Sequence, residues 1–536
     1  MAENMSTVGD ASTFMLKGDF GLSPTFLSLI AGLIVIVLFI SRWSTPDLDV
    51  REPPALKPRF PVIGHLVGVL WHQGQYFRVL YEKDLPIATL PILNGKLYAI
   101  WDPALVQSAY RNKDLSFEPF AVEFAQKDLG LSNDVAKLLR ETDLVPDFFG
   151  VIHPALNGAH LHSMNANALK YVSAELDRIG GGAGDEGGLN VPNLFAWVRR
   201  VMTLATTEGL YGVENPVMKD LKLIDDLWTF ESGVPLFILD ILPQYTARKA
   251  FQARARLQAG LSRFYMARHD HNDDVAQIVK ARADVLRRYG IPDREIGTFE
   301  LGLLHVGTAN TIPVFFWFLA HVFSRPELVE RLREEVLEAS QRKEDEAIID
   351  ITIFEKECPL LVSCYRESMR LSSRVIGNRR VTKDTTISDG KGRSYTLKNG
   401  VNLQLSAEVL HNMNHVWGEA PASFVPERFL AVDNGVSKEV GDEKMKRAAY
   451  IPFGGGRHLC PGRNFAFAEN LGFVSALLLG FEAKPLNGNV GELQVPEAMA
   501  CTLADGTPKP ERNGEGFGVR IVRREGWEKA KFRFVC

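Results

Sequence analysis

The sequence predicts a mainly helical protein with a small β-rich region, carried behind one N-terminal transmembrane helix. Three observations point there. Residues 190–290 follow a helical pattern, and a second pattern opens at Pro292-Asp293-Arg294-Glu295 and continues to about Phe323. That second stretch is apolar on most faces, as helices that run through a core are. Strand-like runs cluster in residues 75–115, where Ala88-Thr89-Leu90-Pro91-Ile92-Leu93 and Lys96-Leu97-Tyr98-Ala99-Ile100-Trp101 are separated by turn residues. Residues 26–40 are apolar or small and carry no charge.

Extended to 24–43, the last stretch has about 20 residues, enough to span a bilayer. A cleavable signal peptide fits it poorly: the run starts late, no basic segment precedes it and no small-residue cleavage site follows. A buried core helix is the bland alternative. Arg42 and Arg51 follow the run while Glu3 and Asp10 precede it, a charge bias that puts the C-terminal bulk in the cytosol. The next segment, Glu52-Pro53-Pro54-Ala55-Leu56-Lys57-Pro58-Arg59-Phe60-Pro61-Val62-Ile63-Gly64, is proline-dense and reads as a stiff, extended connector.

The 536 residues are 46% hydrophobic and 24% charged, an ordinary globular composition with ample material for a large core. Net charge is −4, so no basic field argues for nucleic acid. The five cysteines, Cys358, Cys364, Cys460, Cys501 and Cys536, are odd in number and form no Cys-x-x-Cys pair. That usage indicates a reducing compartment with one functional thiolate, not a disulfide framework.

Along the chain, residues 155–180 read as helix and stop at Gly180-Gly181-Gly182-Ala183-Gly184-Asp185-Glu186-Gly187-Gly188, a tract too glycine-rich to hold structure. Breaks are expected at Gly212, Pro216 and Gly233-Val234-Pro235. The charge runs Arg254-Ala255-Arg256 and His269-Asp270-His271-Asn272-Asp273-Asp274 read as solvated surface. Asp293 is a plausible N-cap for the long apolar helix. At that helix's middle lies Gly307-Thr308-Ala309-Asn310-Thr311-Ile312-Pro313. Pro313 has no N–H, so the Ala309 carbonyl loses its helical partner and the helix should open there. The gap can hold water or dioxygen beside the Asn310 and Thr311 side chains. A plain proline kink is the alternative.

The chemistry-bearing stretch is Phe453-Gly454-Gly455-Gly456-Arg457-His458-Leu459-Cys460-Pro461-Gly462, followed by a helix-like run. It sets one cysteine on a glycine-rich loop at a helix N-terminus, where backbone N–H groups favour a thiolate. Such a thiolate is a good ligand for iron, and the glycines let the backbone pass close to something planar. A buried structural cysteine is the bland reading. Upstream, Glu367 and Arg370 fall at i, i+3 on an apparent helix over 359–371, a common surface pair taken alone.

The order Phe453, Gly456, His458, Cys460, Gly462 resembles the haem-binding signature of the cytochrome P-450 superfamily. The resemblance implies the mainly helical fold of that family, with Cys460 as the axial thiolate on haem iron and Phe453 beside the sulfur. His458 stands where a basic residue, usually Arg, meets a haem propionate; Arg457 is on the wrong step. Asn310 and Thr311 fall on the family's oxygen-side acid and threonine, Asn replacing the acid. Asn-Thr-x-Pro followed by Phe316-Trp317 looks like the branch of sterol hydroxylases and prostacyclin synthase. Glu367, Arg370 and Arg428, the last within Phe424-Val425-Pro426-Glu427-Arg428-Phe429, match the family's structural triad. The family's Trp-x-x-x-Arg is absent, and His153-Pro154-Ala155-Leu156-Asn157-Gly158-Ala159-His160-Leu161-His162 takes its place; His160 or His162 is a candidate propionate contact, against an exposed or core histidine.

The resemblance further implies a tail at 1–24, an anchor at 25–43, a hinge at 44–64 and a catalytic domain over 65–536. It implies a single-pass protein of the endoplasmic reticulum membrane, catalytic domain cytosolic. The implied activity is monooxygenation of a hydrophobic small molecule, with electrons from NADPH through cytochrome P-450 reductase. The Asn-Thr-x-Pro pattern and the ending Trp527-x-x-Ala530-x-Phe532-Arg533-Phe534-x-Cys536 resemble fungal oxidases of terpenoid or sterol-like secondary metabolites. A reductase-independent haem-thiolate isomerase or dehydratase, and a non-catalytic haem-binding membrane protein, stand as alternatives.

Overall fold

The computed structural model describes residues 24–43, 48–58, 63–81, 85–93, 95–180, 187–430, 440–486, 493–501 and 506–536. The expected tail before Pro24, parts of the expected hinge (44–47 and 59–62) and most of the glycine tract (181–186) lie outside these residues.

Helices dominate, and they follow the apolar pattern. In the helix Thr311–Phe323, residues Ile312 to Ala320 are all buried, and in Arg463–Gly480 every residue from Ala468 onward is buried. Helices apolar on every face are stable only inside, and these two form the centre of the larger core. The segment Asp293–Phe323 is long and apolar enough to cross a membrane, yet it lies mostly within the fold. It is two helices, Asp293–Thr308 and Thr311–Phe323, interrupted at Ala309-Asn310. The Val314 N–H donates to the Asn310 carbonyl at 3.1 Å, while Pro313 offers no donor to Ala309. Asp293 is not the cap: Pro292 occupies that position, and the Asp293 carboxylate in the first turn pairs with Arg287 at 2.8 Å and Arg268 at 3.0 Å.

Gly212 ends the helix Leu194–Tyr211 at φ +63°, and Pro216 opens a new turn, as the pattern requires. The third expected break does not occur. Lys222–Leu239 runs through Gly233-Val234-Pro235 and ends at Asp240 in the left-handed region. A Cβ on Gly233 would stand 2.2 Å from the Ala250 side chain. The glycine therefore lets the helix Arg248–Met266 close in, and this packing holds the segment helical despite the proline.

The two charge runs are only partly surface. Arg254 is buried; its guanidinium lies 4.5 Å over the Phe237 ring and donates to the Asp128 carbonyl at 2.9 Å. Asp270 is buried and accepts from Arg287 at 2.7 Å. Buried charge is tolerable when distant segments supply partners and an aromatic face, and a run of charges in sequence does not reveal them.

The β-rich region is a five-stranded sheet in the order Ile87–Ile92, Gly95–Ile100, Asn402–Ser406, Ile376–Val381, Leu115–Ser116. Asn402–Ser406 runs parallel to Gly95–Ile100 and antiparallel to Ile376–Val381. The sheet and its covering helices form a second hydrophobic core. The proline-dense segment docks on this sheet: Thr89 N–H donates to the Pro54 carbonyl at 2.8 Å, and Leu56 N–H to the Thr89 carbonyl at 2.9 Å. Glu52, buried beside it, accepts from Lys96 and Tyr98. The helix Pro24–Trp43 stands ahead of this segment, with residues 28–37 exposed.

Candidate active site

A cavity of about 340 Å³ lies between the interrupted helix and the glycine-rich loop. Asn310, Thr311 and Gly307 line it on one side, and Phe453, His458, Cys460 and Gly462 on the other. Val306, Val314, Val375 and Ile376 give it an apolar wall. Val306 is 65% exposed although its helical neighbours Leu304 and His305 are buried, which is the signature of a side chain facing open space.

Each wall is held by its local chain. Gly454 and Gly456 take φ +69° and +67°, the left-handed region that favours glycine. A Cβ on Gly455 or Gly456 would stand 2.4 Å and 2.2 Å from Tyr110 atoms, so the loop can pass Tyr110 only as glycine. The Cys460 N–H donates to the Phe453 carbonyl at 3.0 Å, closing the loop at the mouth of the helix Arg463–Gly480. Burial pushes the Cys460 thiol up, and backbone N–H groups of Gly462 and Arg463 oppose that by hydrogen bonding toward the sulfur.

Behind the loop, Glu367 and Arg370 are both fully buried. Arg370 Nε and Nη2 donate to the two Glu367 oxygens at 2.7 and 2.8 Å, and Arg428 Nε donates to Oε1 at 2.8 Å. The expected triad is therefore assembled. It reaches the loop through His411: Arg370 Nη1 donates to the His411 carbonyl, and the Ile451 N–H donates to His411 Nε2 at 3.0 Å. That donation makes Nε2 an acceptor and the ring neutral. Burial, and next the Arg370 charge, press His411 down to about 3.

The basic rim differs from the expectation. Burial first, then Arg379 and Arg457, push His458 down to about 4, so it is a neutral imidazole near pH 7. Its ring packs 5.7 Å from Phe117 and 6.1 Å from Phe149. Arg457 Nε donates to His458 Nε2 at 3.0 Å, and its Nη2 donates to Ser116 Oγ at 3.0 Å. The buried cation at the cavity is Arg379, on the strand Ile376–Val381; it donates to the Gly455 carbonyl at 3.1 Å and lies 5.2 Å over Tyr110. Sequence reasoning missed Arg379, whose only signal was a pair of arginines in a strand. His160 and His162 do not reach the cavity. Both are exposed on Gly158–Asp177, whose buried face is Leu161, Met164, Ala168, Leu169 and Val172. The segment that approaches His458 is the preceding helix, Leu144–Ala155, through Phe149.

Asn310 and Thr311 stand together on one wall of the cavity. Thr311 Oγ1 accepts from Asn470 Nδ2 at 3.2 Å, and Asn470 belongs to the cysteine's own helix. Asn310 rests against Gly506, where a Cβ would stand 2.5 Å from Asn310 Oδ1. Tyr365, Met369, Ser373 and Thr507 complete the wall and were not found from sequence.

These residues fit a haem. One sulfur is the donor, and among the described residues no cluster of three or more His, Cys, Asp or Glu offers a competing metal site. Gly454 and Gly462 present bare backbone to open space: a Cβ on either would meet nothing within 4 Å. The buried Tyr110 hydroxyl has no protein partner among the described residues and stands beside the Arg379 charge, where a carboxylate rim would come.

Comparisons with known proteins agree. The family model described as cytochrome P-450 matches residues 194–504. A cytochrome P-450 monooxygenase of Gibberella zeae is 41% identical over 96% of this chain and 98% of its own length. The 25-hydroxycholesterol 7-alpha-hydroxylase of Rattus norvegicus is 29% identical over 70% of this chain and 89% of its own. Among solved structures, a retinoic-acid-bound cyanobacterial CYP120A1 superposes with a TM-score of 0.65 at 18% identity, covering 89% of this chain and all of that one, a likeness of fold.

Proposed function

Because this chain belongs to the cytochrome P-450 family of haem-thiolate monooxygenases, we propose that it oxidises a terpenoid or sterol-like small molecule of secondary metabolism, using dioxygen and electrons passed from NADPH by cytochrome P-450 reductase. One observation carries this reading: the Cys460 sulfur and the Asn310–Thr311 break face one largely apolar cavity. The sterol-hydroxylating rat relative supports the substrate class, and the fungal monooxygenase supports the reaction type.

Bound haem supplies the iron at which dioxygen is reduced. Cys460 would hold the iron through its sulfur, and the Gly462 and Arg463 N–H groups stabilise charge on that sulfur. Arg379 would hold haem carboxylates through its charge, and His458 and the Tyr110 hydroxyl would add neutral hydrogen bonds. Val306, Val314, Val375 and Ile376 exclude water and hold an apolar substrate. Thr311 hands a proton from its hydroxyl into the cavity; Asn310, which cannot ionise, orders the water that replenishes it. The balance is one oxygen atom into a C–H bond and the other released as water, with two electrons and two protons consumed.

Turnover with and without reductase and NADPH, under labelled dioxygen, tests this. Labelled product only when electrons are supplied is expected. Product formed without electrons would show the isomerase chemistry instead, and unlabelled hydroxylated product would also overturn the reading. We place the helix Pro24–Trp43 as a single anchor in the endoplasmic reticulum membrane, catalytic domain cytosolic, from its length and the exposed apolar residues 28–37. Alkaline carbonate should leave the full-length protein in the membrane pellet; its release would remove the anchor.

A further inference from the structure

We propose that Asn470 is a positioning residue that aims the Thr311 hydroxyl proton into the cavity, an inference that rests on reading Thr311 as the proton donor. Asn470 is fully buried on a helix whose next ten residues are buried and mostly apolar. Its Nδ2 lies 2.6 Å from the Ala466 carbonyl and 3.2 Å from Thr311 Oγ1. A carbonyl can only accept, so the amide nitrogen, not its oxygen, must face Ala466, and the amide cannot flip. Thr311 Oγ1 is therefore an acceptor toward Asn470, and its own proton is free to point elsewhere.

Thr308 shows what a helical threonine does without such a partner. Its hydroxyl donates back to the Leu304 carbonyl at 2.7 Å, with His305 at 3.2 Å, and is lost to the cavity. Among the described residues Thr311 makes no such back-bond. It opens the second half of the interrupted helix and lines the cavity. The break exposes the hydroxyl, and Asn470 sets which way it donates. The other end of the amide supports a working role: Asn470 Oδ1 is buried with no partner among the described residues, an unfavourable state for a residue kept only for packing.

The test uses the full-length haem-loaded protein and inorganic cyanide, whose nitrogen end accepts a hydrogen bond, titrated against the ferric enzyme by the shift of its main absorption band. Thr311→Ala and Asn470→Ala should each weaken cyanide binding by about fivefold, the worth of one net hydrogen bond, and the double variant no further. Hydrogen peroxide released per NADPH consumed should rise in both. Cyanide binding unchanged in Asn470→Ala but weakened in Thr311→Ala overturns the inference and leaves the Thr311 role standing. Cyanide and peroxide both unchanged in Thr311→Ala overturn that role, and the inference with it. Should Asn470→Ala not take up haem, Asn470→Leu decides: it fills the volume without a donor and should weaken cyanide binding as Thr311→Ala does. Cyanide binding unchanged in Asn470→Leu overturns the inference.

Discussion

The two buried polar clusters around the cavity are built on opposite terms. Behind the cysteine loop, Glu367 accepts from Arg370 through both oxygens, from Arg428 and from the Val425 N–H, and Arg370 has a further acceptor in the His411 carbonyl. Across the cavity, Asn470 Oδ1 and the Ser373 hydroxyl are buried with no protein partner among the described residues. A saturated network holds one geometry and has nothing left to offer a ligand. Polar groups with spare capacity on a cavity wall are what a reaction needs. The first cluster holds the cysteine loop; the second lines the cavity.

The comparison breaks most completely at the ligand. Cys460→Ser should abolish the thiolate-type, red-shifted ferrous–carbon monoxide band, and a surviving band would mean that another residue binds the iron. Next is the saturated cluster. Glu367→Ala leaves the buried Arg370 and the partly buried Arg428 without their shared carboxylate, a loss of about 3–5 kcal/mol. A correspondingly lower Tm and poor haem retention are expected; a Tm within a degree of wild type would show that the cluster is not structural.

The smaller effect is pH-dependent and concerns Glu469, which shares features of both clusters. One oxygen accepts from Thr206 at 2.7 Å, and the other has no partner among the described residues. Burial raises the group to about 8. A raised carboxyl is protonated in the folded state, so its contribution is fully present below about 4.5, the unfolded value, and is lost as pH rises toward 8. Glu469→Gln should therefore raise stability by about 2–4 kcal/mol at pH 8.5 and change it little near pH 4.5. His321 and His411 have the opposite sign: burial lowers both to about 3, so their contribution is present above 6.5 and lost as pH falls from there. Thermal melts of wild type and Glu469→Gln at both pH values separate the two, and an equal shift at each would exclude titration of Glu469.

Chemistry written within a short span was legible in the sequence. The glycine-rich loop around Cys460, the i, i+3 spacing of Glu367 and Arg370 and the donor missing at Pro313 each depend on neighbours a few residues away, where covalent geometry decides the outcome. Arg428 was legible only through a family motif.

What escaped the sequence depended on which surfaces meet. Pro235 stays helical because Gly233 admits Ala250, and Arg254 is buried because Phe237, Phe251 and the Asp128 carbonyl surround it. His458 lines the cavity but burial, with Arg379 beside it, presses its pKa down, and Arg379 itself comes from a strand far from the cysteine in sequence. Asn470 is a polar residue in a largely apolar helix, and only the fold sets Thr311 opposite it. By itself the sequence determined which residues can bind iron, open a helix or share a carboxylate, since those properties belong to side chains and local backbone. Only the tertiary structure decided which of them are charged, which way a hydroxyl points and what closes the cavity, because burial and hydrogen-bond partners are supplied by segments the local pattern does not contain.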